Sequence, residues 1–463
     1  MKLKSKVLDV PSDNIFLNDK LQRNQSVDNL TNLLKNISSP LVLSVNAPWG
    51  AGKTTYLKML HANLNSLGGK SIYFSAWETD FALDPLLAFL GEMNSALSKF
   101  LIGDSKKVRA WKKAKAAGAH ILRRSVPVGL KLATAGLLDA DKMLEDEASK
   151  LSESLSKDVI DVYSKNKEAI FEFKKSVAEV LKGDDEVAEK LYVFVDELDR
   201  CRPTYAIELL ERIKHLLDIE GLVFVLALDK IQLAHSVKAV YGADFDALGY
   251  LKRFIDIEFS LPAAGKNLFI NHLLTHFELD AYFKGRTAGE TVYDRENLLR
   301  TLSVVCSGMS LRSIEQLLSK IKLISLTVPS NQYFYPEFMV FMLLVKEGYP
   351  EIYSEFSRPD VSGDELLSVV DNVFPGDMDE VVWTKQFIEA LIISGKMRGA
   401  RAWSDRKISL HKDAVSNVAL QSHIVEHSRR VLELVGGMNR MGGSVSLDSL
   451  LGRIDMLSSF NFD

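Results

Sequence analysis

The sequence predicts an α/β fold: a parallel sheet sandwiched by helices, interrupted by a helical insertion and followed by a helical C-terminal region. Three observations predict it. Short apolar, β-branched runs alternate with helical patterns, as in a parallel sheet covered on both faces. The first run, Leu41-Val42-Leu43-Ser44-Val45, breaks into the glycine-rich stretch Ala47-Pro48-Trp49-Gly50-Ala51-Gly52-Lys53-Thr54. A later run, Leu191-Tyr192-Val193-Phe194-Val195, ends in the acid pair Asp196-Glu197.

The glycine-rich stretch opens the helical pattern Tyr56-Leu57-Lys58-Met59-Leu60. Strand, loop and helix in that order are the layout of a phosphate-binding P-loop, and the fold expected is that of a P-loop NTPase. Gly50 and Gly52 lack Cβ, so several backbone N–H groups can turn inward toward phosphates. Pro48, Trp49 and Ala51 fill the remaining loop positions. The helix N-terminus adds its positive field. Lys53 is a compact cation for the β- and γ-phosphates, and the Thr54 hydroxyl is a Mg²⁺ ligand. Thr55 has the weaker claim. Ala47 stands where the usual pattern has its first glycine, which restricts the opening turn without removing a phosphate-contacting group. The competing reading is a chance Gly-Lys-Thr loop.

Uninterrupted apolar runs read as strands buried on both faces. Those after the loop are Ser71 to Ser75, Leu191 to Val195, Leu222 to Leu228 and Phe254 to Phe259. Asp196-Glu197 then fits a Walker B element, with Asp196 holding Mg²⁺ and Glu197 deprotonating the attacking water. Two solvated acids capping a strand end are the alternative.

With 463 residues the chain exceeds one simple core. Five segments are expected: 1–90 with the first half of the NTPase core, 91–188 as a helical insertion, 189–264 as the second half, 265–330 as a helical lid, and 331–463 as a helical C-terminal domain. The insertion follows from length, since one crossover helix needs far fewer residues. Beyond Leu261-Pro262, helical spacing dominates, as in Leu311, Ile314, Leu317, Leu318 and Ile321. Gly436-Gly437-Met438-Asn439-Arg440-Met441-Gly442-Gly443 reads as a flexible linker.

The composition is 47% hydrophobic and 25% charged, with a formal net charge of −4. Nothing in it demands nucleic acid. No stretch approaches the ~20 apolar residues of a membrane span. The basic start Met1 to Lys6 lacks an apolar region of the secretory type. Two cysteines, Cys201 and Cys306, make no disulfide framework, so a reducing cytoplasm is expected.

From Ser105 to Leu138 there are nine Lys or Arg residues and no acid: Lys106, Lys107, Arg109, Lys112, Lys113, Lys115, Arg123, Arg124 and Lys131. Trp111 and Ile121-Leu122 interrupt them. Such a segment can bind nucleic-acid phosphates, lie on an anionic membrane surface or meet a partner protein. The alternative is a solvated face paired with the acidic stretch from Asp139 to Glu147 and with Glu153.

Several local sequences together resemble the KAP family of P-loop NTPases, an AAA+-like branch of the additional-strand class. They are Pro48 to Thr54 with Trp49 inside the loop, Tyr73 to Phe81, Asp84-Pro85-Leu86, Val195 to Cys201, and Tyr250 to Phe254. The family includes a plasmid phage-exclusion protein and a eukaryotic signalling scaffold. Many prokaryotic members resemble membrane proteins through helices inserted between Walker A and Walker B, whereas this insertion has no span. The family's usual Asp-Asp is Asp196-Glu197 here.

The resemblance implies roles that spacing does not give. Asp229 falls at a polar γ-phosphate sensor position, with a helix N-cap as the alternative. Arg253 matches an arginine finger donated across a subunit interface, and Arg312 the lid arginine called sensor 2. An ordinary surface or salt-bridge role is the alternative for both. Asp199 and Arg200 are expected in an ion pair or subunit contact, and Trp77, a large residue at a strand end, in the core, with a nucleotide-adjacent aromatic as the alternative. The implied function is a Mg²⁺-dependent NTPase using ATP, forming a homo-oligomer and controlling a protein partner or effector in antiphage defence. A nucleotide-gated scaffold with little turnover and a nucleic-acid-engaging ATPase are the alternatives.

Overall fold

The computed structural model describes residues 10–82, 84–101, 103–123, 159–183, 189–263, 265–286, 289–358, 362–395, 401–417, 419–440 and 446–457. They gather into two units, one ending at Ala264 and one beginning at Gly265.

In the first unit β1 (Leu41–Asn46), β2 (Lys70–Ser75), β3 (Leu191–Asp196), β4 (Leu222–Leu228) and β5 (Ile257–Ser260) form one sheet. Its order is β2-β3-β4-β1-β5, with every neighbouring pair parallel. β4 therefore stands between the strand that feeds the glycine-rich loop and the strand that ends in the acids. Successive side chains of a strand point to opposite faces, and the apolar runs use both. Val42, Val193, Val195, Phe224 and Leu226 enter one core. Leu43, Val45, Tyr192, Phe194, Val223 and Val225 enter the other.

Helices α1 (Asn24–Asn36) and α2 (Lys53–Ser66) cover the second face through Val27, Leu30, Tyr56, Leu57 and Leu60. The first is covered by α3 (Pro85–Phe100), α4 (Ser105–Arg123), α5 (Val159–Leu181), α6 (Pro203–Leu216) and α7 (Lys230–Tyr241). The start of α3 has a local cause: Pro85 occupies the first turn, and Asp84 accepts from Leu86 N at 2.8 Å. Its other oxygen accepts from Arg212 Nη2 at 2.9 Å, tying α3 to α6.

Helix α4 carries the basic segment and is amphipathic. Ala110, Trp111, Ala114 and Ile121 are buried, and the Trp111 indole donates to Asn94 Oδ1 at 3.0 Å. Lys106, Arg109, Lys112 and Lys113 are exposed. Trp111 and Ile121 are thus core residues, and the outward face of α4 carries these four charges together with exposed Val108. Arg124, Lys131, the stretch Asp139 to Glu147 and Glu153 lie outside the described residues.

Two local expectations are corrected. The last strand begins at Ile257 rather than Phe254, because a turn claims the preceding residues: Arg253 N bonds Tyr250 O at 3.0 Å and Phe254 N bonds Leu251 O at 3.1 Å. Phe254 is buried edge-on against Tyr250. Gly436 and Gly437 are not a linker but lie within the helix Ser422–Arg440. Buried Val431 and Val435, one turn apart, anchor that helix, and the Ser394 hydroxyl donates to Met438 Sδ at 3.1 Å. Residues 441–445 lie outside the described residues.

The second unit is helical among its described residues. Its core runs from Ile270 to Leu457 without a break at residue 330, so the segments read as lid and C-terminal domain share one interior. Helix Pro336–Gly348 is buried nearly all round, from Phe338 through Leu343. Its first turn carries Glu337, fully buried with the Arg300 guanidinium 3.6 Å away. Burial pushes that carboxyl up to about 7, well above its ordinary 4.5.

A carboxyl raised by folding weakens stability as pH climbs from 4.5 to 7 and adds no further loss above that. Glu337→Gln is therefore expected to raise Tm by a few degrees at pH 8, roughly 1–3 kcal/mol. Arg300, a third exposed, keeps its bond to Asn297 Oδ1 at 2.5 Å and its place over Trp383. The gain should vanish at pH 4. Thermal melts followed by circular dichroism at both pH values check this, and equal shifts at the two would contradict it.

Candidate functional site

Parallel register brings the carboxyl ends of the strands to one edge: Asn46 lies beside Leu228 and Ser260, and Ser75 beside Asp196. Ligands of parallel sheets bind at that edge. The loop from Ala47 to Gly52 leaves β1 there, and α2 starts at Lys53. Gly50 and Gly52 have φ of 74° and 83°, the left-handed region where a side chain is strained. Lys53 is buried, donating to the carbonyls of Ala47 at 2.8 Å and Pro48 at 3.4 Å. Thr54 and Thr55 are half-buried on the first turn.

The turn after β3 supplies the centre of the site. Asp199 Oδ2 accepts from the Trp49 indole at 2.7 Å and from Asp229 N at 2.8 Å, and lies 3.5 Å from Lys53 Nζ. One carboxylate oxygen thereby ties together the loop, the β3 turn and the end of β4. Asp229 closes the ring. Its Oδ2 accepts from Trp49 N at 3.2 Å, while Oδ1 caps α7 through Ile231 N and Gln232 N. The helix-cap reading of Asp229 is realised in the structure, and the same side chain touches the glycine-rich loop.

Asp196 is buried at the end of β3. Its Oδ2 accepts from the Tyr73 hydroxyl at 2.5 Å and its Oδ1 from Glu197 N at 2.9 Å. Burial, reinforced by the neighbouring Asp196, pushes the Tyr73 phenol up, so it is a proton donor throughout the physiological range. Glu197 has φ 61°, a left-handed conformation uncommon for a non-glycine residue that turns it out of the strand. Its Oε2 accepts from the Ser75 hydroxyl at 3.1 Å and its Oε1 pairs with Arg200 Nη1 at 2.7 Å.

A model of the KAP family P-loop domain matches residues 23–328, more than half of the sequence. The chain belongs to the KAP family. No curated protein matches it. Solved structures similar to it include a DNA replication initiation factor, with 12% identity over 92% of this chain and 98% of that one and a TM-score of 0.29. AMPPCP-bound DnaA from Aquifex aeolicus has 13% identity over 92% and 98%, with a TM-score of 0.31. The ORC2 protein of Aeropyrum pernix in ADPNP–ADP complexes has 12% identity over 90% and 95%, with a TM-score of 0.33.

The remaining predicted residues of this KAP protein are placed as follows. Arg253 is exposed just before β5. Because β5 runs parallel to β1, Arg253 lies at the amino end of the sheet, opposite the loop. Arg312 is exposed on the first turn of the helix Leu311–Ser325, in the second unit. The expectation that Trp77 is core is overturned: its side chain is 53% exposed, with the Arg200 guanidinium 5.8 Å from the ring centre. It follows β2, an edge strand of the sheet, which leaves the ring half open to solvent with the Arg200 guanidinium over it. Among the described residues no helix is long and apolar enough to cross a membrane.

Sequence reasoning missed Tyr73 and Ser75, the hydrogen-bond partners of Asp196 and Glu197. Both lie on β2 two residues apart, hence on one side of the strand. Two hydroxyls in phase near the strand's end were the available signal.

Proposed function

We propose that this KAP protein is a Mg²⁺-dependent ATPase that works as a homo-oligomer and uses ATP binding and turnover to act on a protein partner. The observation that carries the reading is the clustering of Lys53, Asp196, Glu197 and Asp229 at one edge of one sheet, with Asp199 joining Lys53 to Asp229. The residues present fit a triphosphate with its metal. Two left-handed glycines open the loop, a buried lysine stands at its base, and Thr54 and Asp196 are the oxygen ligands that would hold Mg²⁺. Mg²⁺ held there would supply positive charge that offsets the negative charge of the triphosphate.

Lys53, held here by loop carbonyls and Asp199, exchanges those acceptors for phosphate oxygens. Glu197 takes a proton from the attacking water. Asp229, which follows β4 and accepts from Trp49 N of the loop, senses the γ-phosphate through that bond. Arg253 cannot serve the site of its own chain from the opposite end of the sheet, which supports its action in a neighbouring copy. Arg312 is assigned to the lid on family resemblance, as is the antiphage context. The two cysteines are buried free thiols, which supports a reducing cytoplasm.

Hydrolysis measured over a protein concentration series tests this. Specific activity is expected to rise with concentration, Lys53→Ala and Arg253→Ala are each expected to be inactive, and their mixture should recover part of the activity through hybrid sites. A monomer with ATP·Mg²⁺ that hydrolyses at full rate would exclude the shared site. The exposed lysines and arginine of α4 favour a second reading, nucleic-acid engagement. Stimulation by DNA or RNA that fades steeply with salt would support it.

A further inference from the structure

Arg200 follows the acid pair closely, yet the partners of its side chain lie on the turn and on β2's continuation rather than on the loop. Its guanidinium pairs with Glu197 Oε1 at 2.7 Å and lies over the exposed ring of Trp77. Glu197 is held on its other oxygen by Ser75 on β2. The segment bearing Trp77 is itself fastened down. Asp80 accepts from Arg202 N at 2.8 Å and Nε at 2.9 Å, and the Thr79 and Tyr205 hydroxyls meet at 3.0 Å. Trp77 is thus a fixed, solvent-facing shelf beneath a cation that grips the carboxylate beside Asp196.

A general base must turn toward the water it deprotonates, and a carboxylate fixed on both oxygens is not free to turn. We propose that Arg200 is a positioning residue that restrains Glu197 in the nucleotide-free protein, with Trp77 as the surface that holds Arg200 in place. The proposal rests on the reading of Glu197 as the base. It makes Arg200 and Trp77 a brake on turnover that touches neither nucleotide nor metal. The planar guanidinium suits both contacts, pairing in its plane and stacking on its face.

The test is kcat and KM for ATP in wild type, Arg200→Ala, Arg200→Lys and Trp77→Ala. Losing a partly exposed pair of good geometry is expected to raise kcat about fivefold in Arg200→Ala, with KM within about twofold. Trp77→Ala should rise less, and Arg200→Lys should fall between wild type and Arg200→Ala, because lysine keeps the charge but not the planar group that stacks on Trp77. A spectroscopic signature accompanies this. ATP·Mg²⁺ should alter the component of tryptophan emission that Trp77→Phe removes, and Arg200→Ala should abolish that change.

A fall or no change in kcat in Arg200→Ala overturns the brake. Where wild-type turnover is too slow to detect, Arg200→Ala is expected to bring it into range. If that variant is silent too while a fluorescent ATP analogue still binds in a Lys53-dependent way, the brake is wrong and the nucleotide site stands. If wild type binds no analogue, the nucleotide reading fails and the brake with it. Arg200 is 42% exposed, so its truncation opens no cavity. A circular-dichroism melt matching wild type checks that the variant is folded.

Discussion

Glu197→Gln is expected to bind ATP·Mg²⁺ as the wild type does and to lose hydrolysis by about 10²–10⁴-fold, the usual contribution of a positioned general base. The substitution keeps the size of the side chain and an oxygen to accept from Ser75, so the turn after β3 keeps its shape. What it removes is the proton acceptor. Steady-state hydrolysis alongside fluorescent-analogue binding separates the two effects. Turnover equal to wild type would remove Glu197 from the chemistry. Weakened binding with turnover scaled to match would mark it as a structural residue of the site.

Asp199→Ala is expected to have the largest effect on stability. Its side chain is almost completely buried, and three donors converge on one of its oxygens. Alanine leaves Asp229 N buried without its acceptor, frees the Trp49 indole and strips Lys53 of its counter-charge. Such a loss costs ~2–4 kcal/mol, or roughly 5–15 °C in Tm for a unit of this size. Asp199→Asn keeps an acceptor oxygen and should lose about half as much. Saturating ATP·Mg²⁺ should narrow the gap for the alanine variant, because phosphate oxygens become the anion for Lys53. A shift below about 2 °C would show that the three donors find other partners without cost.

The glycine-rich loop and the acid pair were legible because their chemistry is local. Backbone freedom at Gly50 and Gly52 and a buried strand ending in carboxylates are written in consecutive residues. The sheet was legible for the same reason, since strands buried on both faces leave unbroken apolar runs. What escaped was non-local. Nothing near Asp199 in sequence announces that Trp49, Lys53 and Asp229 converge on it. That contact exists only because β4 lies between β1 and β3. Trp77 misled because an aromatic at a strand end is ordinarily interior, and only the strand order reveals that β2 is an edge. Gly436-Gly437 misled because propensity is a weak prior against an anchored helix, here one fixed by Val431 and Val435. The start of β5 was misplaced because Phe254, though apolar, is claimed by a turn.

The family match ends at residue 328, but the interior of the second unit does not. Arg286 and Asp294, both fully buried, pair at 2.9 Å, and apart from the Tyr282 hydroxyl the acceptors and donors that complete them come from beyond that point. Pro329 O accepts from Arg286 Nη1 at 3.3 Å, Gln332 O accepts from Nη2, and Phe334 N donates to Asp294 Oδ2 at 3.2 Å. A fragment cut at the family boundary would keep the ion pair and its Tyr282 contact but lose the three backbone partners, leaving charge in an opened interior. Expression of the matched region alone would yield an aggregating polypeptide. A gene split to recover a well-behaved piece has its natural site at residues 264–265, where one interior closes before the next begins.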